Sequence, residues 1–191
     1  MQQLLADSDV FDQPSRLHTV VLTAATNGHM LLDAVASLAL LYRPKLFLFH
    51  FTGHGTRASP AAPAALLFQH NVVGAVQLAP LLRACRAQVT VVLLDCCYST
   101  GIFNNVVFPG LAVVPACGAS QKVAPIFTRQ VLVPVLRGTC AQRCEASKPA
   151  GCTECQQFAD ARTGGRVRVL ALVEHLRHHL SVSMSRNLKK K

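Results

Sequence analysis

Two hydrophobic rhythms alternate along the chain. Unbroken apolar runs with β-branched and aromatic residues, Leu46-Phe47-Leu48-Phe49-His50-Phe51 and Val89-Thr90-Val91-Val92-Leu93-Leu94, predict buried strands. A third such run, Leu111-Ala112-Val113-Val114-Pro115-Ala116, predicts another, and His18-Thr19-Val20-Val21-Leu22-Thr23 the first of the series. Between them apolar residues recur at helical spacing. Leu31, Leu32, Val35, Leu38 and Leu41 predict an amphipathic helix over roughly 29–42, broken by Asn27-Gly28 before it and stopped by Arg43-Pro44 after it. Leu78, Leu81, Leu82 and Cys85 share one face of a second helix, with Pro80 placed in its first turn. Residues 65–68 and 72–76 predict a small hairpin around Gln69-His70-Asn71. A helix ending at Leu136 and a last one over about 168–180 complete the pattern. Strand and helix alternating in this way predict an α/β fold with a mostly parallel sheet.

Two of the strands end alike. The run through Phe51 passes into Thr52-Gly53-His54-Gly55-Thr56, and the run through Leu94 passes into Asp95-Cys96-Cys97-Tyr98-Ser99-Thr100-Gly101. In an open parallel sheet, ligands bind at the loops beyond the carboxyl ends of the strands. Glycines on either side of His54 allow a sharp turn and a close approach to a substrate. If the strands are neighbours, an imidazole and a thiol meet at one sheet edge, which is the minimal unit for nucleophilic acyl transfer. Strand alternation sends Cys96 into the core and leaves Cys97 at the turn.

Strand, Gly-His-Gly, then strand, Asp-x-Cys-x-Ser, resembles the caspase-like cysteine peptidases, most closely their metacaspase and bacterial caspase-like branch. The matching segments are Phe51-Thr52-Gly53-His54-Gly55 and Leu94-Asp95-Cys96-Cys97-Tyr98-Ser99. Tyr98 stands where the metacaspase pattern usually has His. The resemblance implies a three-layer sandwich over about 18–180, preceded by an extension at 1–17 and followed by a basic tail at 181–191. Caspase-like domains usually carry a further strand and helix before the position of His18, so the expected sheet can lack that first unit. Cys97 is implied as nucleophile and His54 as general base, with backbone N–H groups at Gly55 and Cys97 as oxyanion donors. Asp95 reads either as a cap on the turn after its strand or, by the resemblance, as the acid that selects Arg or Lys before the scissile bond. The pocket role is the stronger, with Thr52 supplying a hydroxyl. No acidic residue lies between Gly55 and Leu94. The family's calcium site, which needs oxygen ligands, is therefore not expected, and no cofactor is required.

Composition adds limits. The 191 residues hold 51% hydrophobic and 15% charged side chains, which suits one sizeable core and excludes general disorder. A formal charge of +10 favours acidic partners, nucleic acid or anionic surfaces among them. The first twelve residues carry acids without a basic flank, and the most apolar helical stretch is short and holds Asp33. No membrane span is expected, and a reduced, cytoplasmic setting fits the cysteines.

A second constellation, Cys140-x3-Cys144-x7-Cys152-x2-Cys155, lies in a polar insertion over 139–156. Its thiols could hold zinc tetrahedrally, remain free or redox-active, or form disulfides. His175, His178 and His179 fall near one face of the last helix and read as solvated or dipole-compensating residues. Two functions follow. One is a cysteine endopeptidase cutting protein or peptide substrates after Arg or Lys. The other is a catalytically inactive caspase-like module that binds a partner or nucleic acid.

Overall fold

The computed structural model describes residues 20, 22, 27–122, 127–136 and 171–178. They belong to two units, Val20–Pro125 and Met1–Thr19 with Ile126–Lys191. The insertion at 139–156, the N-terminal extension, the basic tail and most of the expected first strand lie outside the described residues. Val20 and Leu22, which are described, are not in a strand.

The first unit begins with helix α1, Gly28–Leu41. Asn27 does more than break the preceding pattern. Its extended backbone and side chain cap the helix, the Asn27 Oδ1 accepting the Met30 N–H at 2.9 Å. A cap of this kind contributes about 1 kcal/mol. Leu31 and Val35 face the core, and the backbone becomes extended again at Tyr42, ahead of Arg43-Pro44.

Three parallel strands follow the expected order of chemistry: β1 (Leu46–Thr52), β5 (Val89–Asp95) and β6 (Leu111–Pro115), with β5 in the middle. β1 and β5 are in unbroken register from Leu46 opposite Val89 to Thr52 opposite Asp95. β5 and β6 pair from Thr90 opposite Leu111 to Leu94 opposite Pro115. One sheet face presents Phe49, Val92 and Leu94 to a core that includes Leu31, Val35, Leu78 and Leu82. On the opposite face Val91, Leu93 and Val114 are buried as well. Burial on both faces is why β5 reads as a continuous apolar run rather than an alternating one. The chain is thus an α/β protein with a parallel sheet.

Between β1 and β5 lies a second, antiparallel sheet of β2 (His54–Thr56), β3 (Ala65–Leu67) and β4 (Val72–Gly74). The β3–β4 hairpin matches the expected pair of runs, but its second strand stops at Gly74. Helix α2, Ala75–Ala84, starts there, with the Gly74 N–H donating to Gln77 Oε1 at 3.0 Å. Pro80 therefore stands inside the helix and not in its first turn. Its ring faces solvent, while Leu78, Leu82 and the following Cys85 are buried. A short helix α3, Ser99–Ile102, lies between β5 and β6.

In the second unit, a π-helical segment at Thr128–Leu132 continues into α4, Val133–Leu136. Phe127, Val131, Leu132, Pro134 and Val135 are buried there. Helix α5 spans 171–178. His175 is buried beside Leu172, Val173 and Leu176 in the helix pattern, which corrects the solvated reading, and His178 is half-buried. Apolar residues at 172, 173 and 176 define the inward stripe, and position 175 falls within it.

Candidate active site at the ends of β1 and β5

The register of the parallel sheet decides what meets at its carboxyl edge. Because β1 and β5 end on the paired residues Thr52 and Asp95, the segments that leave them start side by side. The Gly53 N–H donates to the Asp95 carbonyl at 3.2 Å, carrying the pairing one residue past the strands. Gly55 then lies against the backbone of the other segment. A Cβ at this position would overlap the carbonyl oxygen of Cys97 and would stand 3.3 Å from Cys96 Sγ. Only glycine allows this approach. His54 is consequently held on the strand that packs over the Cys97 backbone, and its side chain is exposed.

His54 was expected in a turn, yet it opens β2, where it pairs with Leu67 of β3. The three-residue strand is too short to show an alternating pattern, and its partner β3 pairs with it from nine to thirteen residues downstream. Hydrogen bonds from β3 hold it: the Ala65 N–H donates to Thr56 Oγ1 at 3.0 Å.

The two adjacent thiols have opposite surroundings. Cys96 is buried in the core, and its pKa is pushed up to about 12, first by burial and then by Cys117, Cys97 and Asp95. Cys97 is half-buried. Tyr98, the next residue, adopts the left-handed conformation at φ 57°, ψ 20°. For a residue with a Cβ this costs roughly 1–2 kcal/mol. Neighbouring bonds hold it there: the Tyr98 N–H donates to the Gln121 carbonyl at 2.9 Å, and the Gly101 N–H to the Tyr98 carbonyl at 2.9 Å.

The loop after β6 clamps this turn, a part of the site that the sequence did not announce. The Cys117 N–H donates to the buried Ser99 Oγ at 3.0 Å, and that hydroxyl lies 3.1 Å from the Cys117 carbonyl. Thr100 Oγ1 donates to the same carbonyl at 2.6 Å. Cys117 Sγ in turn donates to the Cys96 carbonyl at 3.3 Å. Ser99-Thr100-Gly101 read as a turn marker, but its hydroxyls are the clamp. The one available signal was Ala116-Cys117-Gly118 at the exit of the third strand, in the same topological position as the other two motifs.

Asp95 is wholly buried. Its register partner Thr52 is exposed. Half-buried His50 lies on the same face of β1, two residues before Thr52, within the electrostatic reach of Asp95. Burial lowers the His50 pKa, and the Asp95 carboxylate opposes that shift. His50 entered the sequence reading only as part of an apolar run.

Among the described residues no group of three or more His, Cys, Asp or Glu side chains is placed to hold a metal ion. Cys140, Cys144, Cys152 and Cys155 lie outside those residues. Compared with family models, curated proteins and solved structures, the chain matches none.

Proposed function

We propose that the chain is a caspase-type cysteine endopeptidase that hydrolyses peptide bonds following Arg or Lys. Cys97 is the nucleophile and His54 the acid–base group. The observation that carries this reading is the packing of Gly55 on the Cys97 backbone, which binds the imidazole-bearing strand to the thiol-bearing turn.

In this mechanism His54 takes the Cys97 proton as sulfur attacks the substrate carbonyl carbon. The C–S bond forms and the carbonyl π electrons move to oxygen. Backbone N–H groups at Gly55 and Cys97 face the oxyanion, each donor contributing about 3 kcal/mol. The imidazolium then gives its proton to the amine nitrogen as the C–N bond breaks, leaving a thioester. Water, deprotonated by His54, releases the acid and restores the thiol. Thr52 forms the rim of the pocket for the preceding side chain and Asp95 its closed base, the carboxylate attracting a guanidinium or ammonium group.

The test is a peptide ending in Arg and an acyloxymethyl ketone, applied to the reduced protein and followed by mass mapping. A single adduct on Cys97, lost in His54→Ala, is expected. No adduct, or one on another cysteine, overturns the assignment and favours the non-catalytic binding module.

A further inference from the structure

The antiparallel sheet sets more than His54 at the site. Directly opposed residues of antiparallel strands project from the same face. The register opposes His54 to Leu67 and Leu67 to Val72, so these three form one row across β2, β3 and β4. The adjacent row, Gly55, Leu66 and Val73, belongs to the other face; Leu66 and Val73 are buried in the core and Gly55 rests on Cys97. The His54 row is turned outward. His54 is exposed, Leu67 is 42% exposed and Val72 is 47% exposed.

An aliphatic pair displayed this way gains nothing for folding, and the hairpin holding it is anchored. The Phe68 N–H donates to the Asn71 carbonyl at 2.8 Å, and Asn71 Oδ1 accepts the Gly28 N–H at 2.8 Å. A fixed surface of this kind can select a ligand without an ordering cost.

Chemistry says which part of a substrate lies over it. The group that protonates the leaving nitrogen must stand on the leaving-group side of the scissile bond. Under the reading above that group is His54, and Leu67 and Val72 continue the row from it. Successive Cβ atoms in such a row are about 5 Å apart, and an extended peptide rises about 3.3 Å per residue. The row therefore spans the first residues beyond the cut. We propose that Leu67 and Val72 form an apolar subsite for the two residues following the scissile bond, making the peptidase selective for aliphatic or aromatic side chains there. This rests on the assignment of His54 as the acid–base group.

The experiment uses peptides with Arg fixed before the cut and the next two positions varied, with products read by mass spectrometry. Wild-type protein should favour Leu or Phe over Ser or Asp by about tenfold in kcat/KM, as expected when one hydrophobic group is gained or lost in a pocket. In the variant Leu67→Ser with Val72→Thr that ratio should fall to about two or less. Leu67→Lys gives an independent test, because it should move the preference toward Asp or Glu. Cleavage without an apolar preference, or a preference that survives both variants, overturns the subsite and leaves the peptidase standing. Neither cleavage nor labelling of Cys97 in the wild-type protein overturns the peptidase, and the subsite with it.

Discussion

Cys96 and Cys97 are neighbours in the chain, but only one has access to water. Burial and three nearby ionisable groups make the Cys96 thiolate costly, whereas Cys97 sits at the surface of the turn. Cys97→Ala should reduce cleavage to background, while Cys96→Ala should retain a substantial fraction of it. Product formation in the two purified variants, matched for thermal midpoint, checks this. The buried thiol also has a consequence for stability. A thiol with a raised folded pKa favours the native state fully below its unfolded value, 9.0, and loses that contribution as pH rises toward about 12. Stability should therefore fall between these values by up to about 1.4 kcal/mol per pH unit for this proton. Urea unfolding at pH 8, 9 and 10 should show a shallower decline in Cys96→Ala. His50 acts at the other end of the scale. Its folded pKa is lowered from 6.5, so the stability tied to it is present above that value and declines as pH falls below it. His50→Gln should flatten the loss between pH 6.5 and 5, and an unchanged slope counts against burial as its cause.

At the level of elements, the site depends on three strand exits rather than on the two that the motifs mark. Ser99 and Thr100 bind the loop after β6 through Cys117, and Tyr98 is held left-handed by Gln121. Ser99→Ala leaves the buried Cys117 N–H without its acceptor, which costs about 1–3 kcal/mol. The change should lower the midpoint of unfolding and also the rate of Cys97 labelling. Equal labelling rates would separate the clamp from the site. Gly110 lies at the other end of the sheet, just before β6. Its φ is +80°, and a Cβ there would overlap the carbonyl oxygen of Gln88 at the start of β5. Gly110→Ala should destabilise the fold by about 1–2 kcal/mol from the backbone alone, measured by the same unfolding curves. The parallel strands were legible because each is a contiguous apolar run whose burial needs no knowledge of distant partners. Helix α1 was legible from its spacing and its breakers. Strand β2 was not, since three residues, two of them His and Gly, carry no period. The start of α2 was misplaced because Pro80 resembles a helix opening, and its exposed position in the helix depends on packing that only the hairpin reveals. Cys97 and His54 stood out as residue types at glycine-marked strand ends. The clamp did not, because serine and threonine beside glycine signal a turn regardless of what their hydroxyls reach.

Over the whole molecule, charge and the proposed selectivity pull in different directions. The formal charge is +10, and Asp95 is the only acidic residue between Asp33 and Glu145. A substrate presenting Arg meets net repulsion on approach, so a preference for Arg must arise locally, at short range and away from water. On the proposed reading Asp95 is that source; it is fully buried, and its register partner Thr52 is exposed. The surface field should act separately, attracting substrates that carry acidic residues elsewhere. That attraction is screened over about 8 Å at physiological salt, whereas a desolvated pair is screened much less. Two peptide series divide the effects: one varies the residue before the cut, the other varies acidic residues four or more positions away. In the wild-type protein kcat/KM should favour Arg over Gln in the first series with little dependence on salt. In the second, the advantage of acidic peptides should shrink as ionic strength rises from 0.02 to about 0.5 M, where the screening length is only a few Å. Asp95→Asn should leave the salt response intact and remove most of the Arg preference. Losing one partner of a buried pair costs about 2–5 kcal/mol, and even 2 kcal/mol is a change of about thirtyfold. An Arg preference that persists in the Asn variant, or that disappears with salt in the wild-type protein, would place its origin on the surface and remove Asp95 from the pocket.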